Sequence, residues 1–251
     1  MISNTTDVTA MAALGHDEAM DLAESEWDRV LALVDSLGSD DWSRQTDCPQ
    51  WDVKAMLGHM LGMLELQADP ADRMRQISAA ADVAARTGCL RLDALTAQQV
   101  KEHETLTSDD VRQALHAAAP RGLAARRATT AEQRATPYLP ELPGEGAWTV
   151  GYLFDVIHTR DPWIHRVDIC RATGREMVST AEHDGRLVAD VVAEWAARHG
   201  KPFTLTLTGP AGGLFSSGEG GDHLELDAVE FCRVLSGRAQ GSGLLATHVA
   251  F

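Results

Sequence analysis

The sequence predicts a mainly α-helical protein, in which an all-helical N-terminal domain precedes a small α/β domain. Before residue 178, apolar side chains recur every three or four residues through four long segments, which is the period of an amphipathic helix. After residue 178, an alternating segment, FTLTLTG, and two glycine-rich turns indicate strands and hairpins. We therefore predict a helical domain over residues 8–177 and an α/β domain over residues 178–251.

The first two predicted helices supply most of the expected core. The first covers about residues 14–37. The second begins near Asp52, whose charge suits a helix N-terminus, and ends at Asp69-Pro70. The apolar positions expected to face the core are Met20, Ala23, Trp27, Val30, Val34, Leu37, Val53, Met56, Leu57, Met60 and Leu64.

The stretch from 71 to 106 is predicted as a helical piece near 72–86 followed by a long connection, RLDALTAQQVKEHE. The third long helix opens at Thr107, which with Asp110 matches a capping box, and runs to about 134. A proline-rich loop, TPYLPELPGEG, leads into the fourth long helix, over about 148–173. Gly174 is expected to end that helix.

The C-terminal domain is expected to begin with a helix over about 180–199. Strands are predicted in FTLTLTG, HLELDA and LLATHVAF, with a short helix in VEFCRVLSG between the second and third.

Composition excludes several classes of protein. The net charge of −15 and a pI near 5.0 argue against nucleic-acid binding and against docking on an anionic membrane. The cysteines are scattered without a CxxC pair, which indicates neither a disulfide framework nor a thiolate zinc site. With no signal-like N-terminus and no apolar run of membrane-spanning length, we expect a soluble cytoplasmic protein.

The candidate functional residues lie on the fourth and the second of the predicted long helices. Asp161 and His165 are four residues apart, so their side chains project from one face of a helix, and His158 falls on the same stripe. His59, on the second helix, lies at the edge of its apolar face. Two imidazoles and one carboxylate are sufficient for a catalytic zinc site with an open fourth position. The alternatives are a core histidine at position 59 and a chance D-x-x-x-H pair on a surface helix.

Three segments carry a resemblance to a known family. CPQWDVKAMLGHM, TRDPWIHRVDICRATGR and LDAVEFCRVLSGRAQGSGLL resemble the mycothiol-dependent maleylpyruvate isomerase family, within the DinB-like group. The resemblance implies a DinB-like four-helix bundle followed by a small sterol-carrier-like α/β domain. It also implies a divalent metal, usually zinc, with His59, Asp161 and His165 as its ligands, and mycothiol as thiol cosubstrate.

Two residues depart from the family pattern. Asp161 stands where the isomerase has a glutamate, and this shorter side chain would draw the metal closer to the helix. Pro162 lies inside the predicted helix, where it has no N–H to donate to the carbonyl of His158.

Supporting roles are expected for residues nearby. Asp168 is placed to accept the second ring N–H of His165, or else to pair with Arg171 or Arg175. Arg166 and Arg238 are candidates for holding carboxylates of the substrate or the thiol, with a surface position as the alternative for Arg238. Arg238 is preferred, because it would let the second domain contribute to the site. Three roles are open for His158: a fourth metal ligand, a proton shuttle, or a neighbour of the site with no role in its chemistry.

Three functions are open at this stage. A thiolate that adds to the double bond of an unsaturated diacid and is then eliminated performs a cis–trans isomerisation, and one that stays attached to an electrophile makes the protein an S-transferase. The same metal with an activated water would make a hydrolase of small molecules or thiol conjugates. A non-catalytic protein that carries a small apolar ligand is the third reading. The expected partners are a small molecule and a low-molecular-weight thiol, and the oligomeric state is open.

Overall fold

The computed structural model describes residues 5–142 and 144–251. The described chain forms two compact units. One is Gly15–Arg175, and the other combines residues 5–14 with Glu176–Phe251. No helix in the described ranges is both long enough and apolar enough to cross a membrane. The division into domains of 8–177 and 178–251 stays a prediction.

The larger unit is helical, and its fold is of the DinB-like type. Its first five helices are α1 (His16–Ser36), α2 (Val53–Ala68), α3 (Pro70–Thr87), α4 (Arg91–His103) and α5 (Ser108–Arg127). They are followed by α6 (Ala131–Arg134), a short hairpin of β2 (Pro137–Tyr138) and β3 (Trp148–Thr149), a π-helical segment (Tyr152–Ile157) and α7 (His158–Thr173).

The expected helix ends are confirmed where side-chain chemistry marks them. The Asp52 carboxylate accepts the backbone N–H of Ala55 at 2.8 Å and caps α2. Thr107 and Asp110 form the reciprocal bonds of a capping box at the start of α5. Gly174 ends α7 in the left-handed conformation, with φ of 68°.

The core of this unit lies between α1, α2, α5 and α7. The apolar positions expected from α1 and α2 are all buried, which confirms the assignment of their inward faces. Burial of these faces is the principal stabilising term for the bundle. The main cluster contains Trp27, Val30, Val34, Leu37, Trp42, Val53, Met56, Leu57, Met60, Leu61, Leu64, Val111, Leu115, Ala118, Ala119 and Ile169.

The prediction of a long connection after residue 86 is wrong, because residues 91–103 form α4. Only one of the buried residues of this helix is apolar, Ala94, and the others are Gln99 and His103. An apolar period cannot be recognised on a helix that buries polar side chains. The α4 helix packs against α2 and α3.

The smaller unit contains a four-stranded sheet in the order β1–β5–β4–β6. Its strands are β1 (Thr6–Asp7), β4 (Phe203–Thr208), β5 (Gly213–Ser217) and β6 (Asp222–Asp227). The β4 strand pairs antiparallel to β5 and parallel to β6. Two helices complete the unit, α8 (Asp184–His199) and α9 (Ala228–Leu235).

Two features of this unit differ from the sequence prediction. The segment LLATHVAF is not a strand, since Gly243–Ala246 is a short 3-10 turn. Leu244 and Val249 are buried without a strand partner, and their backbone groups bond instead to the Trp195 indole and to Leu235. The strand β1 pairs with β5 over two residues, which is too short for any sequence period to reveal.

Candidate metal centre

Two helices bring the three expected ligands together. The α2 helix places His59 on the side that faces α7, and α7 carries Asp161 and His165 one turn apart. Both histidines are buried, at 4% exposure each, whereas the Asp161 side chain is 22% exposed. Ligand atoms from all three residues lie within 4.8 Å of one another. Solvent therefore reaches this cluster at the carboxylate.

The two Nε2 atoms converge on one carboxylate oxygen. Asp161 Oδ1 is 3.3 Å from His165 Nε2 and 3.9 Å from His59 Nε2. The two imidazole rings meet edge to face, with centroids 5.4 Å apart. This arrangement leaves two nitrogens and one oxygen around a common point.

The opposite nitrogen of each ring is held by an acceptor. His59 Nδ1 lies 2.8 Å from Gln99 Oε1, and His165 Nδ1 lies 3.2 Å from Asp168 Oδ2. With hydrogen on Nδ1, the lone pair of each neutral ring is on Nε2 and faces Asp161. Asp168 thus makes the contact that the sequence analysis expected, while Arg171 and Arg175 pair with Asp47 and Asp41.

The Asp161 carboxyl is ionised at neutral pH. Burial alone would raise its pKa, but when His165 and His59 carry a proton on Nε2 their contacts outweigh burial and hold the pKa of Asp161 well below its usual value of 3.8. Two nitrogen lone pairs and a carboxylate oxygen repel one another unless a cation or a proton lies between them. The donor set of two imidazoles and a carboxylate is one that zinc uses in catalytic sites, so these residues fit the metal.

An aromatic wall borders the cluster. The Trp51 ring centroid lies 5.0 Å from that of His59 and 6.2 Å from that of His165. Trp51 precedes the α2 cap, and its carbonyl accepts the backbone N–H of Thr46, which ties the preceding loop to the start of α2. The indole thus lies against the rings of both histidines and forms one wall of the cluster.

His158 is not arranged as a proton donor. Its Nδ1 lies 3.2 Å from Gln67 Nε2, and its ring stacks on Phe154. Burial, with a further contribution from the nearby Arg126 guanidinium, lowers the pKa of His158 to about 3. The imidazole is neutral at pH 7, which argues against a shuttle that must titrate near neutrality.

Arg126 replaces the hydrogen bond that Pro162 lacks. This fully buried arginine donates from Nη1 to the His158 carbonyl at 3.0 Å, the acceptor that the proline leaves without its helical donor. Its Nη2 donates to the Phe154 carbonyl in the π-helical segment and to Thr159 Oγ1. Burial lowers the pKa of Arg126 to about 9, so it remains charged at pH 7. The turn that precedes Asp161 is thus tied to α5.

The other candidate residues occupy different environments. Arg166 is 3% exposed and donates Nε and Nη2 to the two carboxylate oxygens of buried Glu26, at 2.6 and 3.0 Å. Arg238 follows α9 in the smaller unit and is half-buried. Cys48 is half-buried, and its Sγ lies within 4.8 Å of a His165 nitrogen and an Asp168 oxygen.

Sequence reasoning missed Gln99 and Arg126. Gln99 lies on α4, which the sequence predicts as a connection, and an amide on a buried face gives no periodic signal. Arg126 lies beside Arg127 in the last turn of α5, where a cation usually indicates a solvated residue that complements the helix dipole. Pro162 was the available signal, since a buried carbonyl without its donor needs another partner.

The fold and this cluster define a class of protein, a DinB-like helical bundle with a histidine–carboxylate centre. The sequence profile described as "Mycothiol maleylpyruvate isomerase N-terminal domain" matches residues 23–170. The chain belongs to this family. No curated protein matches the chain.

Solved structures agree in fold. A crystal structure of the mycothiol-dependent maleylpyruvate isomerase superposes with a TM-score of 0.59 and 16% identity, covering 92% of this chain and 94% of that one. A histidine-to-alanine mutant of that isomerase gives the same TM-score and identity, covering 91% and 93%. At this identity the likeness establishes the architecture.

Proposed function

We propose that this protein is a divalent-metal-dependent enzyme that uses mycothiol to act on a small electrophilic substrate, as an isomerase or an S-transferase. Zinc is the proposed metal, with His59, Asp161 and His165 as its ligands. A cytoplasmic location is part of the same proposal. The family to which the chain belongs supports the thiol, and the cluster of ligand atoms supports the metal.

One observation carries the metal assignment. Both histidine Nδ1 atoms are engaged by acceptors, and both Nε2 atoms face the ionised Asp161. Two Nε2 lone pairs that face one carboxylate repel it unless a cation or a proton lies between them. A cation at their meeting point satisfies all three groups.

The roles of the chain's own residues follow from the geometry. When bound, zinc supplies a Lewis acid that lowers the pKa of a thiol and holds it as thiolate near neutral pH. Gln99 and Asp168 fix the orientation of the two imidazoles, which raises their basicity as ligands. Trp51 covers the histidine rings and excludes water from that side. The exposed edge of Asp161 leaves the substrate side open.

Arg238 is the residue we propose for binding a carboxylate of the thiol or the substrate. A guanidinium can form a bidentate pair with such a group. Arg166 was the second candidate for this role, but it would have to release Glu26 to take it.

Metal content tests the proposal directly. The purified protein is expected to contain about one zinc or other divalent ion per chain by mass spectrometry, and His59→Ala and His165→Ala are expected to lose it. His116→Ala is the matched control, because His116 is exposed on α5 and pairs with Asp35 at the surface. Metal absent from the reconstituted wild-type protein, or retained in both ligand variants, would refute the site.

Thiol stoichiometry separates the reactions. An isomerase requires mycothiol but regenerates it each turnover, whereas an S-transferase consumes one thiol per product. Turnover without thiol would instead identify the hydrolase. Ligand binding that persists without metal and without turnover would identify the carrier protein.

A further inference from the structure

A line of buried amides connects His59 to the backbone of its own helix. Gln99 on α4 contacts His59, Gln76 on α3 contacts Gln99, and Gln76 contacts the Gly62 carbonyl on α2. Gln76 and Gln99 are both 0% exposed. Gln99, Gln76 and Gly62 carry no charge, so hydrogen bonds alone connect these three positions to His59.

The direction of these hydrogen bonds is fixed at the far end. Gln76 Nε2 lies 3.2 Å from the Gly62 carbonyl and 2.7 Å from Asp72 Oδ2. Both partners only accept, so this end of Gln76 must be the donating NH2 group. Gln76 Oε1 therefore faces Gln99 as an acceptor, at 2.9 Å from Gln99 Nε2.

The same reasoning orients Gln99. Its NH2 group donates to Gln76 Oε1 and lies 3.2 Å from the Met63 sulfur, which is also an acceptor. Reversing the Gln99 amide would place its oxygen against both acceptors. Gln99 Oε1 consequently faces His59, and His59 must donate from Nδ1.

We propose that Gln99, oriented by Gln76, is a positioning residue that sets the tautomer of His59 and thereby commits Nε2 to the metal. The inference rests on the proposed metal site for its purpose, although the tautomer itself requires no metal. Nδ1 protonation leaves the Nε2 lone pair facing Asp161. The other tautomer would place a hydrogen on Nε2, and the ligand position would be lost.

Close helix packing allows Gln99 to reach His59. A Cβ at Gly62 would lie 2.6 Å from Gln99 Cγ and 2.7 Å from its Cβ, and atoms so near the backbone cannot move aside without the helix. A Cβ at Gly58, one turn earlier on α2, would lie 3.3 Å from His103 Cβ. Gly62 is thus required for the position of Gln99, and Gly58 provides a matched control.

The first test reads the tautomer in metal-free protein. Nitrogen-15 NMR of labelled histidine at about pH 9, where ordinary imidazoles are neutral, is expected to show His59 with hydrogen on Nδ1. Gln99→Met, which is similar in shape and lacks the acceptor, is expected to move the hydrogen to Nε2. Gln99→Glu keeps an acceptor and is expected to retain Nδ1–H. Hydrogen on Nε2 in the wild type, or on Nδ1 in Gln99→Met, would overturn the proposal.

The second test reads metal affinity. Gln99→Met and Gly62→Ala are each expected to weaken zinc binding roughly 10- to 100-fold, the usual effect of removing a partner of a ligating histidine. Gly58→Ala is expected to bind as the wild type does. Equal affinities for the two glycine variants would overturn the role of Gly62. If the wild type binds no metal, the proposed function fails while the tautomer test still decides the present inference.

Discussion

The hydrogen bond from Arg126 to the His158 carbonyl gives a quantitative prediction. Arg126→Met removes the donor for two buried carbonyls, those of His158 and Phe154. Each buried acceptor left unsatisfied costs about 1–3 kcal/mol, and removal of a buried guanidinium offsets part of the sum. We expect the free energy of unfolding to fall by about 2–4 kcal/mol.

Pro162→Ala provides the matched rescue, because it restores the amide that would donate to the His158 carbonyl in a regular helix. In the wild-type background the substitution changes little, since Arg126 already serves that carbonyl. In Arg126→Met it supplies the missing donor. The double variant is therefore expected to recover about 1–2 kcal/mol relative to the sum of the single effects.

Urea unfolding followed by far-UV circular dichroism measures the four proteins of this cycle, and equal m values confirm that the same transition is compared. Additive effects, with a coupling within about 0.5 kcal/mol of zero, would refute the reasoning. Arg126 would then stabilise the protein through its charge or its packing. Its hydrogen bond to the His158 carbonyl would contribute nothing measurable to the free energy of unfolding.

Two further predictions concern other contacts. Burial lowers the pKa of His103, but hydrogen bonds to Glu65 and to the Gln99 carbonyl outweigh burial and raise it above 6.5. The stabilisation by the His103–Glu65 pair is therefore complete below about pH 6.5 and is lost as the pH rises through the raised pKa of His103. We expect the difference in free energy of unfolding between wild type and Glu65→Gln, measured by urea titration, to shrink between about pH 6 and 9. A constant difference would contradict this assignment. Arg238→Ala should raise the KM for mycothiol about tenfold with little change in kcat, and an unchanged KM would remove Arg238 from the proposal.

The sequence predicted the parts of the fold that bury apolar surface with a regular period. The inward faces of α1 and α2 were assigned correctly, because apolar residues recur every three or four positions along each of them. It failed for α4, whose buried face carries Gln99 and His103. It also failed for the C-terminal segment, where Leu244 and Val249 are buried without pairing.

In the candidate centre too, the sequence predicted the residues that have a local pattern and missed those that act through tertiary contacts. A spacing of four on a helix fixes the neighbourhood of Asp161 and His165 without any tertiary information. His59 could be named as a candidate from its place at the edge of an apolar helix face, and the family resemblance implied that it joins this pair, since nothing in one sequence states which helices pack together. Gln99, Gln76 and Arg126 act through contacts between elements 23 to 40 residues apart in sequence. Such contacts have no local pattern.

X-ray absorption at the zinc edge tests the central claim most directly. The zinc-loaded protein is expected to show nitrogen and oxygen ligands at about 2.0–2.2 Å and no sulfur, and addition of mycothiol is expected to introduce one sulfur at about 2.3 Å. Sulfur present before the thiol is added would place Cys48 in the coordination sphere and contradict the proposed ligand set. A spectrum that mycothiol leaves unchanged would contradict the proposed activation of the thiol by the metal.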